Sequence, residues 1–563
     1  MDGLPCQIKS EALNMPQIQQ RRSANYKPNI WKYDYLQSLT SKYDGLEYRR
    51  RAEKLIEVVR SKFAEAVGLQ AKLELIDNLK KLGLAIHFDV EIKEALEYSI
   101  ASIKEKNPSQ EEDLYAIALC FRVLRQHGYD VSQDIFSGFM DEKTGTFRKS
   151  AHANIKGMLE LLEASYLDLE GEIILDEARQ VSTAILKENT CNLDKQVAHA
   201  LELPSQRRVQ WFDVKWHINL YEEDGHTNTV LLEFAKLNFN MIQATLQKDL
   251  RELSRWWRNL GLTEKLDFAR DRLVESFMCS VGFAFEPRNK RFRKWLTKVL
   301  NLIAVIDDVY DVYGTLEELK HFTNAVDRWD VKETQQLPEC MKICFLALYN
   351  TTNEFANEIH KEKRWNQLFP HLKRVWTDFC GALFVEAKWY NMGYTPSLQE
   401  YINNAWISSS GSVILVHALI FCIEHDEVEE EFENLMKKNQ DLVYNISLII
   451  RFCNDLGTST AEIERGDAPS SILCYMREAN VSEEIARQHI RGMINKTWKK
   501  INVEQCFTEL PMLHSFVNIA SNVARVAHWL YQDGDRFGVQ DRETRTNILS
   551  LLVEPLTQSR SIS

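Results

Sequence analysis

Apolar residues recur at spacings of three and four over most of the chain, the signature of helices with one buried face. The run LQAKLELIDNLKKLGLA (69–85) shows it, with Gly83 near the predicted helix end. EDLYAIALCFRVLRQHGY (112–129) repeats the logic, and Gly128 stands where that helix should stop. A polar break, EEDGHTN (222–228), predicts a domain boundary. Beyond it the helical runs become longer and more apolar, as in TEKLDFARDRLVESFMCSVGFAF (263–285) and RFRKWLTKVLNLIAVIDDVYDVYG (291–314). The expectation is an all-α protein of two helical domains, residues 21–225 and 226–563, behind a flexible tail at 1–20.

Composition narrows this picture. Gly (21) and Pro (12) are scarce among 563 residues, which favours few turns and long helices. A net charge of -12 argues against a nucleic-acid binder, although a small anionic substrate stays open wherever metals or local cations reverse the field. Eleven cysteines lie scattered without paired CxxC spacing, so reduced thiols are expected rather than a zinc site. The longest apolar stretch, SVILVHALIFCI (412–423), falls short of the ~20 residues of a membrane span. The first twenty residues lack a signal-peptide core, and the cytosol is the expected location.

Two clusters carry candidate chemistry. Asp307, Asp308 and Asp311 end the apolar run Val299–Ile306. On a helix Asp307 and Asp311 share one face about 6 Å apart along the axis, with Asp308 projecting to the side. A solvated helix face explains such a cluster equally well in isolation, but carboxylates ending an apolar helix are costly unless paired or metal-bound. Oxygen ligands one turn apart suit Mg²⁺. Downstream, LVYNISLIIRFCNDLGTSTAE (442–462) sets Asn454, Thr458 and Glu462 at i, i+4 and i+8, a second oxygen set along one face. Arg270 and Arg272 precede the first cluster and Arg451 precedes the second, all suited to grip phosphate oxygens. Together these groups predict a diphosphate held by Mg²⁺ and arginines, ionised beside a dry apolar cavity.

DDVYD, NDLGTSTAE, the upstream RDR and the arm RR-x8-W (Arg21, Arg22, Trp31) resemble the plant terpene synthases over essentially the whole chain. The resemblance implies a C-terminal class I terpenoid synthase domain and an N-terminal α-barrel-like domain without catalytic residues. It implies Mg²⁺ (three ions with bound diphosphate) or Mn²⁺ on Asp307, Asp311, Asn454, Thr458 and Glu462. Asp307, Asp308 and Asp311 would be the catalytic motif, and Arg270, Arg272 and Arg451 would bind diphosphate together with Asp307, Asp311 and Asn454. Residues 21–31 would strap across the active-site mouth. Runs such as HGYDVSQDIFSGFMDEK (127–143) and HFTNAVDRWD (321–330) are similar to the α-farnesene synthase branch, which implies farnesyl diphosphate as substrate and a monomer with no nucleic-acid or membrane partner. Cys279 and His528 or Asp535 stand where cyclising relatives carry pocket aromatics, which predicts an aromatic-poor pocket and an acyclic product. SSSGS (408–412) predicts a helix break beside the pocket. Geranyl or dimethylallyl diphosphate chemistry, an inactive diphosphate binder and a helical scaffold are the competing readings.

Overall fold

The computed structural model describes residues 26–105, 113–141, 143–150, 154–188, 195–224, 228–423, 429–465, 469–508 and 511–557. Among these residues every regular element is helical, and pairing between extended residues is confined to the bridge Met140–Phe147. The predicted stops are present. α1, Leu69–Lys81, is followed by Gly83 at φ 72°, and α2, Leu114–Gln126, by Gly128 at φ 81°. These left-handed conformations suit residues without a Cβ.

The polar break separates α3, Gln210–Glu223, from α4, Thr229–Leu260, whose Asn228 side chain accepts the Val230 and Leu231 N–H groups. The hydrophobic core does not stop there: one buried cluster runs from Trp31 through both halves to Leu556. At the join, Trp211 of α3 stacks between Phe239 of α4 and Phe285, with ring centroids 4.8 and 5.1 Å away.

The second half is built round α5, Leu273–Phe283, α6, Lys290–Asp308, α7, Leu368–Met392, α8, Leu398–Ser408, and α9, Gly411–Cys422. α10, Gln440–Arg465, packs along α11, Glu483–Phe507, and α12, Pro511–Tyr531. The SSSGS break is real: α8 and α9 meet at a bend of about 40°, with Ser410 in the left-handed region at φ 66°. A Cβ on Gly411 would collide with Ser447, so glycine lets α9 lie directly on α10. No single helix among the described residues is long and apolar enough to cross a membrane, and the bent α8–α9 pair is largely buried in the core.

Candidate active site

A cavity of about 910 Å³ lies between α5, α6, α7, α8, α9, α10 and α12. Its apolar wall includes Ile303, Ala304, Ile414, Val523 and Val526, and its mouth is polar. Asp307 and Asp311 of the first predicted cluster and Asn454 and Thr458 of the second line the cavity. α6 delivers Asp307, and a single π-helical turn at Val309–Tyr313 delivers Asp311. The turn closes when Gly314 N–H returns to Val309 O at 2.9 Å, so the motif straddles a change of helix type, where the sequence pattern predicts uninterrupted α-helix.

Asp311 is exposed to the cavity yet surrounded by protein. Burial and the neighbouring Asp307 and Glu386 carboxylates hold its carboxyl well above the usual carboxylate range. A bound cation relieves that like-charge repulsion. α10 supplies Asn454 and Thr458 to the same cavity, and Thr458 Oγ1 donates to Asn454 O at 2.8 Å. Glu462 lies on α10 with its side chain outside the described residues. The donors are carboxylate, amide and hydroxyl oxygens, which fit a hard divalent cation. Among the described residues no three His, Cys, Asp or Glu side chains are gathered into a metal cluster.

The structure redistributes the remaining predicted roles. Asp308, expected beside Asp307 and Asp311 as part of the catalytic motif, does not line the cavity and is fully buried. It accepts Tyr26 Oη at 2.9 Å and the Arg270 backbone N–H at 2.7 Å, and ion-pairs with Arg270 Nε at 2.9 Å. Burial pushes its carboxyl up, and Arg270 opposes that shift. Asp308 therefore clamps Arg270, whose Nη2 reaches Asp307 Oδ2 at 2.6 Å.

Arg272, expected among the diphosphate cations, donates to three backbone carbonyls. Nε donates to Phe537 O at 2.9 Å, Nη2 to Gly538 O at 2.8 Å and Nη1 to Asp271 O at 3.0 Å. These bonds tie Arg272 to the loop after α12, and it still lines the cavity. Arg451 lines the cavity, with Nη2 3.1 Å from Ser408 Oγ and Nη1 3.4 Å from Asn454 Oδ1.

Of the arm, Arg21 and Arg22 lie outside the described residues, whereas Trp31 is buried and donates Nε1–H to Glu275 Oε1 at 2.9 Å. Two site carboxylates escaped the sequence reading. Glu386 of α7 receives Ser408 Oγ–H at 2.5 Å, and burial pushes its carboxyl up although Arg451 pulls it down. Asp455 of α10 accepts Tyr401 Oη at 3.0 Å and Ser471 N–H at 2.8 Å. An acid inside the apolar run FCGALFVEA (379–387) was the available signal for Glu386.

The pocket is not aromatic-poor. Phe283, Tyr310, Phe379, Tyr401, Tyr531 and Phe537 are among its lining residues, together with Cys279 and Asp535. His528 is elsewhere: it accepts Trp498 Nε1–H at 2.9 Å behind the wall. Aromatic content thus gives no argument for an acyclic product.

Residues 30–201 match the model described as terpene synthase, N-terminal domain, and residues 258–500 match the terpene synthase family, metal binding domain. The chain belongs to the terpene synthase family. It is an enzyme of the lyase type that this family comprises. Among curated terpene synthases it is 61% identical to an (E,E)-alpha-farnesene synthase of Malus domestica over 561 residues, covering 98% of this chain and 96% of that one. It is 58% identical to an alpha-farnesene synthase of Ricinus communis, covering 98% of both chains. Among solved terpene synthases, limonene synthase with 2-fluorolinalyl diphosphate superposes with a TM-score of 0.91 at 38% identity, covering 96% of this chain and all of that one. Isoprene synthase from grey poplar, in complex with three Mg²⁺ ions and dimethylallyl-S-thiolodiphosphate, gives 0.85 at 44% identity over 94% of this chain and 99% of that one.

Proposed function

We propose that this terpene synthase converts (2E,6E)-farnesyl diphosphate into (E,E)-α-farnesene and diphosphate. The observation that carries this reading is identity of 61% and 58%, over nearly the full chain, to two enzymes named for that product. Asp307 and Asp311, with Asn454, Thr458 and Glu462, would hold Mg²⁺. Three ions are the expected complement, the number named for the poplar complex. Bound Mg²⁺ supplies positive charge to the departing diphosphate and so weakens the bond to the allylic carbon.

The chain's own residues do the rest. Arg270 and Arg451 offer guanidinium N–H groups to phosphate oxygens at the mouth. The wall of Ile303, Ala304, Ile414, Val523 and Val526 excludes water from the cation. Loss of a proton from the allylic cation, without ring closure, then releases a linear tetraene. Cytosolic residence and a monomeric state belong to the same proposal. They predict a diffuse cytosolic signal for a fluorescent fusion and a solution mass near 65.7 kDa.

The discriminating experiment is gas chromatography–mass spectrometry of products from farnesyl, geranyl and dimethylallyl diphosphates, each at equal concentration with Mg²⁺. α-Farnesene from farnesyl diphosphate at the highest kcat/KM is expected. A dominant ten- or five-carbon product would overturn the chain-length assignment, and a cyclic sesquiterpene would overturn the product.

A further inference from the structure

Tyr26 belongs neither to the metal set nor to the arginines, yet it lines the cavity and touches Asp308 and Arg270. Its hydroxyl donates to Asp308 Oδ1 at 2.9 Å, and the Arg270 guanidinium carbon lies 5.2 Å from its ring centroid. Asp308 in turn holds Arg270 by backbone N–H and by Nε, which leaves Arg270 Nη2 aimed at Asp307 Oδ2. A continuous chain of contacts therefore runs from Tyr26 through Asp308 and Arg270 to a proposed metal ligand.

The segment carrying Tyr26 is fastened a few residues on. Ile30 N–H donates to Gln540 Oε1 at 3.1 Å, and Gln540 Nε2 donates to Glu275 Oε1 at 2.9 Å, the same oxygen that receives Trp31 Nε1–H. Gln540 Nε2 also reaches Asn29 Oδ1 at 3.2 Å. Tyr26 is thus placed by a junction of three pieces of chain: residues 29–31, the start of α5 and the loop after α12.

We propose that Tyr26 is a positioning residue for the ionisation site. By holding Asp308, its hydroxyl fixes one edge of the Arg270 guanidinium and leaves Nη2 to move from Asp307 to a substrate phosphate as Asp307 takes up metal. Asp307 and Arg270 cannot do their separate jobs while locked to each other, so the exchange needs Asp308 to stay in place. Docking of residues 26–31 thereby completes the metal motif.

The proposal rests on reading the cavity as a Mg²⁺-dependent prenyl-diphosphate site. Failure of that reading would show as absent Mg²⁺-dependent turnover in the unaltered protein; failure of the present inference shows only in the variants. Tyr26→Phe keeps the ring over Arg270 and removes one hydrogen bond. In the full-length protein its melting temperature should be unchanged, while the Mg²⁺ concentration for half-maximal turnover of farnesyl diphosphate rises roughly ten-fold, the worth of one hydrogen bond to a charged acceptor. Adding Tyr26→Phe to Asp308→Asn should cost little beyond Asp308→Asn alone, because both break one pathway. An unmoved Mg²⁺ requirement in Tyr26→Phe, or a melting temperature that falls while that requirement stays put, overturns the proposal. If Asp308→Asn does not fold, the single Tyr26→Phe titration decides.

Discussion

Asp311 and Arg272 both line the cavity, but they are built for different work. Asp311 faces the cavity with Asp307 and Glu386 pressing its carboxyl towards the neutral form. Asp311→Asn keeps shape and removes the charge that a cation needs. Turnover should fall by roughly 10²–10³-fold, the scale for loss of one electrostatic contact to a transition state, with little change in melting temperature. Steady-state kinetics beside thermal melts would check this. Arg272 instead spans two carbonyls, Phe537 O and Gly538 O, which a lysine ammonium cannot bridge with the same fork. Arg272→Lys should therefore loosen the loop after α12, lowering stability by about 1–3 kcal/mol in chemical denaturation and leaving the Mg²⁺ requirement unmoved. A Mg²⁺ requirement that rises in this variant would instead return Arg272 to the diphosphate.

The same two residues mark what could be read from the sequence. Asp311 was legible because an acidic residue four positions from Asp307 closes an apolar helix, a pattern with a chemical cost and a known remedy. Arg272 was not, since its partners are backbone carbonyls some 265 positions away, and carbonyls carry no sequence identity. Asp308 shows a middle case: helical geometry turned it away from its neighbours, but only the fold shows that Tyr26 and Arg270 occupy the place it turns towards.

At the level of the elements, two irregularities shape the mouth. The π turn at Val309–Tyr313 presents Asp311, and the bend between α8 and α9 brings Ser408, Ser409 and Ser410 to the cavity rim. The bend was foreseeable from three serines and a glycine in a row; the π turn was not, because VYDVYG carries no residue that forbids ordinary helix. Gly411 is the tighter constraint, since a side chain there meets Ser447 of α10. Gly411→Ala should cost about 1–3 kcal/mol of stability, the usual penalty for overpacking, and depress turnover by moving the wall that carries Arg451 and Asn454. Ser447→Gly, which removes the obstructing hydroxymethyl, should restore part of both in denaturant melts and activity assays. No recovery in the double variant would locate the strain elsewhere.

Across the whole molecule, a core continuous through both halves predicts that they unfold together. Gln206 Nε2 to Gln505 Oε1 at 2.7 Å, Arg207 Nη2 to Asn495 Oδ1 at 2.7 Å and Lys499 Nζ to Asp168 at 2.9 Å add polar ties across the join. Buried histidines on both sides give this unit a common pH limit. Burial depresses His127 and His417 to about 4, and His217 and His528 to about 3. Exposed histidine in the unfolded chain titrates near ~6.5, so between these values the unfolded state binds more protons than the folded one. Their stability contribution is complete above the unfolded value and is lost as pH falls towards the folded values. The melting temperature should therefore decline steadily from pH 7.5 to pH 5 in a single calorimetric transition. Two separate transitions, or a flat profile, would contradict this account.

The central claim is that two helix-borne oxygen sets ionise a prenyl diphosphate with the help of a divalent cation. The most direct test follows diphosphate release and olefin together, with farnesyl diphosphate as substrate, in the full-length protein and in Asp311→Asn, with and without Mg²⁺. The account predicts matched release of diphosphate and α-farnesene from the unaltered protein with Mg²⁺, and near-baseline rates in the other three arms. Equal rates without the metal, or full activity in Asp311→Asn, would contradict it.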